Sequence, residues 1–189
     1  MSYCVVVDSM LISPIDLILK KWSNRRCPVD ISKIREFFFR AMASCLASGL
    51  SEEIQVHDMP DFLAIHYRDG DFRLQDQYCA IPGEERSAGT TTIWFKDRPI
   101  WIMNYGGAYS KEAIPFLRAV LRKTYETGQF IGGRGPAYYK GDSFIYFNQG
   151  RLFDFTNFNG REEIYRYEDG EPLGFHDYWG MSLLSTSYR

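Results

Sequence analysis

The sequence predicts an α+β domain, a twisted antiparallel β-sheet built from hairpins with about three helices packed against it. Three observations carry this. Apolar and polar residues alternate with period two through most of the stretch from Phe62 to Trp179. Turn dipeptides such as Asp69-Gly70, Asp97-Arg98 and Asp169-Gly170 punctuate that alternation. Apolar residues recur at helical spacing in 14–22, 31–48 and 111–125. At 189 residues the chain suits a single domain over 1–189, with a helical N-terminal segment (1–60) and a β-rich core (61–182) holding one inserted helix. No internal repeat, low-complexity tract or dividing linker is visible.

Ser13-Pro14 reads as an N-cap followed by proline at the first helical position, with Ile15, Ile18, Leu19 and Trp22 on one side. Asp30 caps a second helix, in which Ile34, Phe38, Met42 and Cys45 share a face and Gly49 is a natural stop. Strands 62–67 and 71–79 then pair about Asp69-Gly70, setting Tyr67 opposite Phe72 and Ile65 opposite Leu74. The same alternation carries Asp76 and Tyr78 onto the apolar face, where a carboxylate needs a partner or takes a raised pKa. Residues 81–88 read as an exposed loop.

A central hairpin, 89–95 with 99–105, is apolar on both faces. Counting from its turn sets Trp94 opposite Trp101, Thr92 opposite Met103 and Thr90 opposite Tyr105. Ile93 then meets Ile102, and Thr91 meets Asn104. A third helix follows at 111–125, with Pro115 in its first turn. Gly132-Gly133-Arg134-Gly135-Pro136 leaves that helix for β structure, so it is neither a P-loop nor a dinucleotide fingerprint. It is an irregular connector, or one that presents Arg134 as an anion anchor. Strands 143–147 and 151–157 pair around Gln149-Gly150, and 161–167 with 173–179 around Asp169-Gly170. The last register places Glu163 opposite His176 and turns Glu162 the other way.

The net charge is −2, which gives no global field for nucleic acid. Charge is nonetheless uneven, with basic residues gathered in 20–40 and acidic ones in 52–76. Cys4, Cys27, Cys45 and Cys79 are widely spaced, with no CxxC, and there is no secretory signal. Reduced thiols and a cytoplasmic location are expected. No run reaches the roughly 18 apolar residues of a membrane span. Three histidines in separate segments argue against a metal site, and no cofactor is expected.

The blocks DGDFRLQDQY, GTTTIWFKDRPIWIMNYGG, GGRGP and FNGREEIYRYEDGE resemble the bacterial domain-of-unknown-function family 5680 over roughly residues 62–180. The P-x-W-x-M-N-Y-x-G block, Pro99 to Gly107, is the most specific part. Members of that family occur as stand-alone proteins and also fused behind helix-turn-helix regulators, and the resemblance implies no activity. Such sequences usually carry glutamate where this chain has Thr91. Helices at 14–22 and 31–48 lack the tight turn of a helix-turn-helix.

The function expected is binding: a sensor module for a small molecule or peptide, with an aromatic-lined pocket. Its candidate residues are Asp76, Tyr78, Trp94, Trp101, Asn104, Tyr105, Arg134, Glu163 and His176. One alternative is a hydrolase or transferase using Asp76, Glu163 or His176. Another is a protein-interaction or regulatory protein using the basic N-terminal helices. The expected partner is an unidentified small molecule or peptide, or a protein, rather than nucleic acid or a membrane. No residue is assigned a catalytic role.

Overall fold

The computed structural model describes residues 29–47 and 52–184. The helix expected at 14–22 and the Gly49 stop lie outside the described residues. Two helices, not three, are described. Helix α1, Ile31–Met42, starts where Asp30 accepts the Ser32 amide at 2.8 Å, and runs into a π-helical turn at Ala43–Ala47. Helix α2, Ile114–Thr127, has Pro115 in its first turn and ends at Gly128 in the left-handed region. Ile34, Phe38 and Met42 of α1 and Leu117, Val120, Leu121 and Tyr125 of α2 are buried, as their spacing requires.

Nine strands form one antiparallel sheet: β1 (Ile54–Gln55), β2 (Phe62–Asp69), β3 (Phe72–Ala80), β4 (Arg86–Phe95) and β5 (Arg98–Tyr109), then β6 (Tyr138–Lys140), β7 (Phe144–Asp154), β8 (Asn157–Arg166) and β9 (Pro172–Ser182). Their spatial order is β1-β2-β3-β4-β5-β9-β8-β7-β6. The helices cover one face, where Leu74, Ile93, Trp101, Met103, Tyr146, Phe158 and Ile164 form a core with Phe37 and Phe38. No helix among the described residues covers the other face, and Trp179 and Met181 are exposed on it. β4 begins at Arg86, so part of the expected 81–88 loop is strand.

Several registers differ from those the turns suggest. The first hairpin closes over Gly70-Asp71, with Asp69 opposite Phe72 and Tyr67 opposite Leu74. That slip of two residues leaves every side chain on its expected face. The central hairpin turns at Lys96-Asp97, both left-handed, as a type I′ turn needs. Trp94 then faces Pro99, but Ile93 faces Trp101, which leaves Ile100 as an extra residue in β5. Thr91 therefore opposes Met103, and Thr90 opposes Asn104. In β9, Pro172 faces Tyr165 while Gly174 faces Ile164, leaving Leu173 extra. His176 accordingly opposes Glu162, and Glu163 opposes Phe175. Proline offers no amide hydrogen to the ladder, so a bulge beside it is the natural accommodation. Gln149-Gly150 is not a turn: β7 continues through it with Arg151 as an extra residue, and the hairpin to β8 closes at Phe155-Thr156.

The topology also reveals a repeat that the linear sequence hides. Each half is a helix followed by a four-strand meander, α1 with β2–β5 and α2 with β6–β9. The halves join through β5 and β9, where Tyr105 stands opposite Tyr178. Phe72-x-x-x-Asp76-Gln77 repeats as Phe144-x-x-x-Asn148-Gln149. Gly89-x-x-x-Ile93 repeats as Gly160-x-x-x-Ile164, and Asn104-Tyr105-x-Gly107 as Asp177-Tyr178-x-Gly180. Pairing follows the same pattern: Gly89 faces Tyr105 and Thr91 faces Asp76, while Gly160 faces Tyr178 and Glu162 faces Asn148. A Cβ at Gly89 or at Gly160 would overlap the tyrosine opposite, so both rings lie across a bare backbone.

Candidate functional site

A cleft of about 340 Å³ lies between the helical layer and the sheet of the first half. Met42 of α1 and Leu117 and Leu121 of α2 form its apolar side. The sheet side carries Ile65 of β2, Asp76 and Tyr78 of β3, Thr91 of β4, Tyr105 and Tyr109 of β5, and His176 of β9. Arg134 reaches it from the connector after α2, and Glu84, Glu85 and Arg86 stand at its rim.

Asp76 is buried and accepts the Thr91 hydroxyl at 2.6 Å and the Tyr105 hydroxyl at 3.0 and 3.1 Å. Burial raises its carboxyl above the ordinary range, against the opposing pull of those two hydroxyls and of the Arg134 charge. The Tyr105 hydroxyl is in turn raised well above its usual value, by burial and then by the Asp76 charge.

Beside this pair lies a closed ionic cluster. The Arg134 guanidinium donates to Glu162 Oε1 through Nε at 3.0 Å and also through Nη2, and the Tyr146 hydroxyl donates to Oε2 at 2.6 Å. Burial works to raise the Glu162 carboxyl, but the charge and hydrogen bonds of Arg134, with the Tyr146 hydroxyl, outweigh it and hold the group below the ordinary range. The connector that supplies Arg134 is itself pinned. Asn148 donates to the carbonyls of Ile131 and Gly135 at 3.0 and 2.8 Å, Tyr125 donates to Gly133 at 3.0 Å, and the Gly135 amide donates to Tyr146.

His176 bridges cluster and cleft. Its Nδ1 lies 3.5 Å from Arg134 Nη2 and 3.7 Å from Glu162 Oε1, and its Nε2 lies 3.4 Å from Ser87 Oγ. The order Ser87–His176–Glu162 resembles a nucleophile, base and acid. The proton bookkeeping contradicts it. Guanidinium only donates, so Nδ1 is assigned as the acceptor and Nε2 carries the hydrogen toward Ser87. Burial, with the Arg134 charge, pushes the imidazole down to about 4 against the opposing effect of Glu162. A neutral ring donating to Ser87 is not poised to deprotonate it.

Five expected binding residues thus meet in the cleft: Asp76, Tyr78, Tyr105, Arg134 and His176. Four do not. Trp101 is wholly buried, stacked on Phe155 and Phe158, with its indole donating to the Phe155 carbonyl at 2.9 Å. Trp94 lies on the opposite face, its ring 3.9 Å from the Arg73 guanidinium. Asn104 is on that face too, accepting from Thr90 at 2.8 Å, and Glu163 pairs there with Arg161 at 3.3 Å. The one-residue bulges account for Trp94, Asn104 and Glu163, because each exchanges the two faces beyond it, whereas Trp101 shares the face of Tyr105 and is closed off by Phe38, Phe155 and Phe158. They equally explain why Glu162 is central although the turn-based register passes it over; Tyr109 escapes that register because β5 runs four residues past the expected end at Tyr105. The signal for Glu162 was the repeat: Gly160-x-Glu162 matches Gly89-x-Thr91.

Among the described residues, no group of three His, Cys, Asp or Glu side chains is placed to hold a metal ion, and neither Cys45 nor Cys79 is in a disulfide. No helix among them is long and apolar enough to cross a membrane. No curated protein and no solved structure matches the chain. Residues 76–180 match the family model described as Domain of unknown function (DUF5680). That match spans more than half of the chain and runs from Asp76 through Arg134 to His176, and the chain belongs to the DUF5680 family.

Proposed function

We propose that this protein is a binding module for a small polar molecule, held in the cleft above Asp76. One observation carries the reading: an apolar-sided cleft of about 340 Å³ gathers a buried carboxylate, three tyrosines, a neutral imidazole and an arginine. Apolar walls with a few convergent polar groups are what small-molecule sites use, and the volume is at the small end of their range. The imidazole tautomer weighs against the acyl-transfer alternative. We also infer a cytoplasmic setting, supported by the wide cysteine spacing.

The test is a metabolite screen by thermal shift, followed by two-dimensional NMR of the labelled protein. Ligands that raise the melting temperature should move the amides of Thr91, Tyr105, Tyr109 and His176. Leu117→Trp, which fills the cleft from α2, should abolish both effects. Failure of every ligand class to move these amides would reject the reading.

A further inference from the structure

We propose that the cleft receives a small organic cation, an alkylammonium or alkylguanidinium group, seated against Asp76 beneath the rings of Tyr105, Tyr109 and His176. This rests on the binding reading above and gives the ligand its chemistry.

The charge count comes first. Glu162 is matched by Arg134, and around the cleft the acids Glu53, Glu84 and Glu85 are balanced by the bases Arg86, Lys111 and Arg118. Asp76 is left over. Its oxygens accept only hydroxyls, and no Lys, Arg or His among the described residues stands at ion-pairing distance from it. Tyr105 has one proton to share between two oxygens, so acceptor capacity remains. A buried carboxylate without a counter-ion is costly, and a ligand cation would relieve that cost.

The second observation is independent. The Tyr109 side chain is 5% exposed and lines the same cleft, and its hydroxyl, although it interacts with Glu162, makes no hydrogen bond of ordinary geometry among the described residues. It lies within the field of Glu162, which helps burial to hold its proton in place. An un-ionised phenol offers an oxygen to an incoming N–H. Its ring packs with those of Tyr105 and His176 along the cleft wall, aromatic surroundings that suit a cation, and a neutral imidazole does not repel one.

The third is a precedent inside the chain. In the second half, the connector lies over the sheet where the first half has its cleft, and it delivers a guanidinium to a buried carboxylate. That guanidinium sits 5.3 Å from the Tyr105 ring, so these groups already accept one cation. In the first half β2 continues straight past the matching positions and supplies no such plug. Asp76 also stands where the second half has Asn148, whose amide donates to the connector carbonyls. Replacing amide by carboxylate changes the demand from carbonyl acceptors to N–H donors.

The experiment is an NMR titration of the full-length labelled protein near neutral pH with four matched probes: n-butylamine, n-butylguanidine, n-butanol and butyrate. The two cations should give saturable shifts at the amides of Thr91, Tyr105 and Tyr109, and the alcohol and the anion should not. Asp76→Asn should weaken the cations by about ten-fold or more, and Tyr109→Phe by a few-fold. The spectrum of each variant reports whether it is folded, and Tyr109→Phe decides the matter if Asp76→Asn is not. Equal binding of butanol or butyrate at these amides, or cation affinity unchanged in the variants, would overturn the cation proposal and leave the binding reading standing. Silence of all four probes at the cleft would overturn it as well, and the metabolite screen would then judge the binding reading separately.

Discussion

Glu162 stands directly across the β8–β9 ladder from His176, with the imidazole Nδ1 3.7 Å from its Oε1 and the Arg134 guanidinium bonded to the same oxygen. This triangle is sealed, since the ion-pair side chains are 6% and 0% exposed. It sets the electrostatics on which the neighbouring cleft depends.

Removing one member of a sealed ion pair leaves the other charge buried and unmatched. Arg134→Met should therefore destabilise the fold by about 3–5 kcal/mol in urea unfolding, and Arg134→Met with Glu162→Leu should recover a substantial part. A single variant as stable as the parent would show that Glu162 is not held as an anion.

His176 imposes a pH dependence whose sign follows from its depressed pKa. The unfolded imidazole protonates near 6.5 and the folded one only near 4. Between those values the unfolded chain binds the extra proton, so stability attributable to His176 falls with pH, by up to about 3 kcal/mol. Other groups titrate nearby, Asp76 among them, so the measurement is a difference. The stability gap between the parent and His176→Gln should shift against the parent as pH drops from about 7 to about 4.5. A gap independent of pH would refute the buried neutral ring.

The two tryptophans of the central hairpin should separate cleanly. Trp101→Ala removes a fully buried ring and should cost about 3–5 kcal/mol, while Trp94→Ala loses a contact with Arg73 on the opposite face and should cost about 1 kcal/mol. Comparable losses would mean that the bulge at Ile100 is misplaced.

Equivalence of the halves is tested at their glycines. Gly89→Ala and Gly160→Ala each force a methyl into a tyrosine, and each should destabilise by about 1–3 kcal/mol. Thermal melts in which only one of them does damage would break the equivalence.

The fold class, both described helices and the strand-rich character were legible because they depend on periodicity and caps, which are local. Asp76 was legible for the same reason, since the first hairpin slips by an even number and parity survives. The faces of Trp101, Asn104, Thr91, Glu162 and Glu163 depend on parity beyond an odd insertion. Pro99 and Pro172 were the visible warnings, each one residue before the inserted Ile100 and Leu173. The repeat escaped because it is carried by a few residues at pairing positions, and pairing becomes visible only once the strands are laid side by side.

The β5–β9 seam has a consequence for ancestry. A chain of one helix and one meander would end with the long edge of its last strand unpaired, and such edges recruit partners. Two copies joined there would give essentially this sheet, with identical hollows related by a twofold axis at the facing tyrosines. A symmetric pair must keep both hollows alike. Joining the copies in one polypeptide lifts that constraint, so one hollow could take the chain's own arginine onto Glu162 while its twin kept a carboxylate, Asp76, bonded only to hydroxyls.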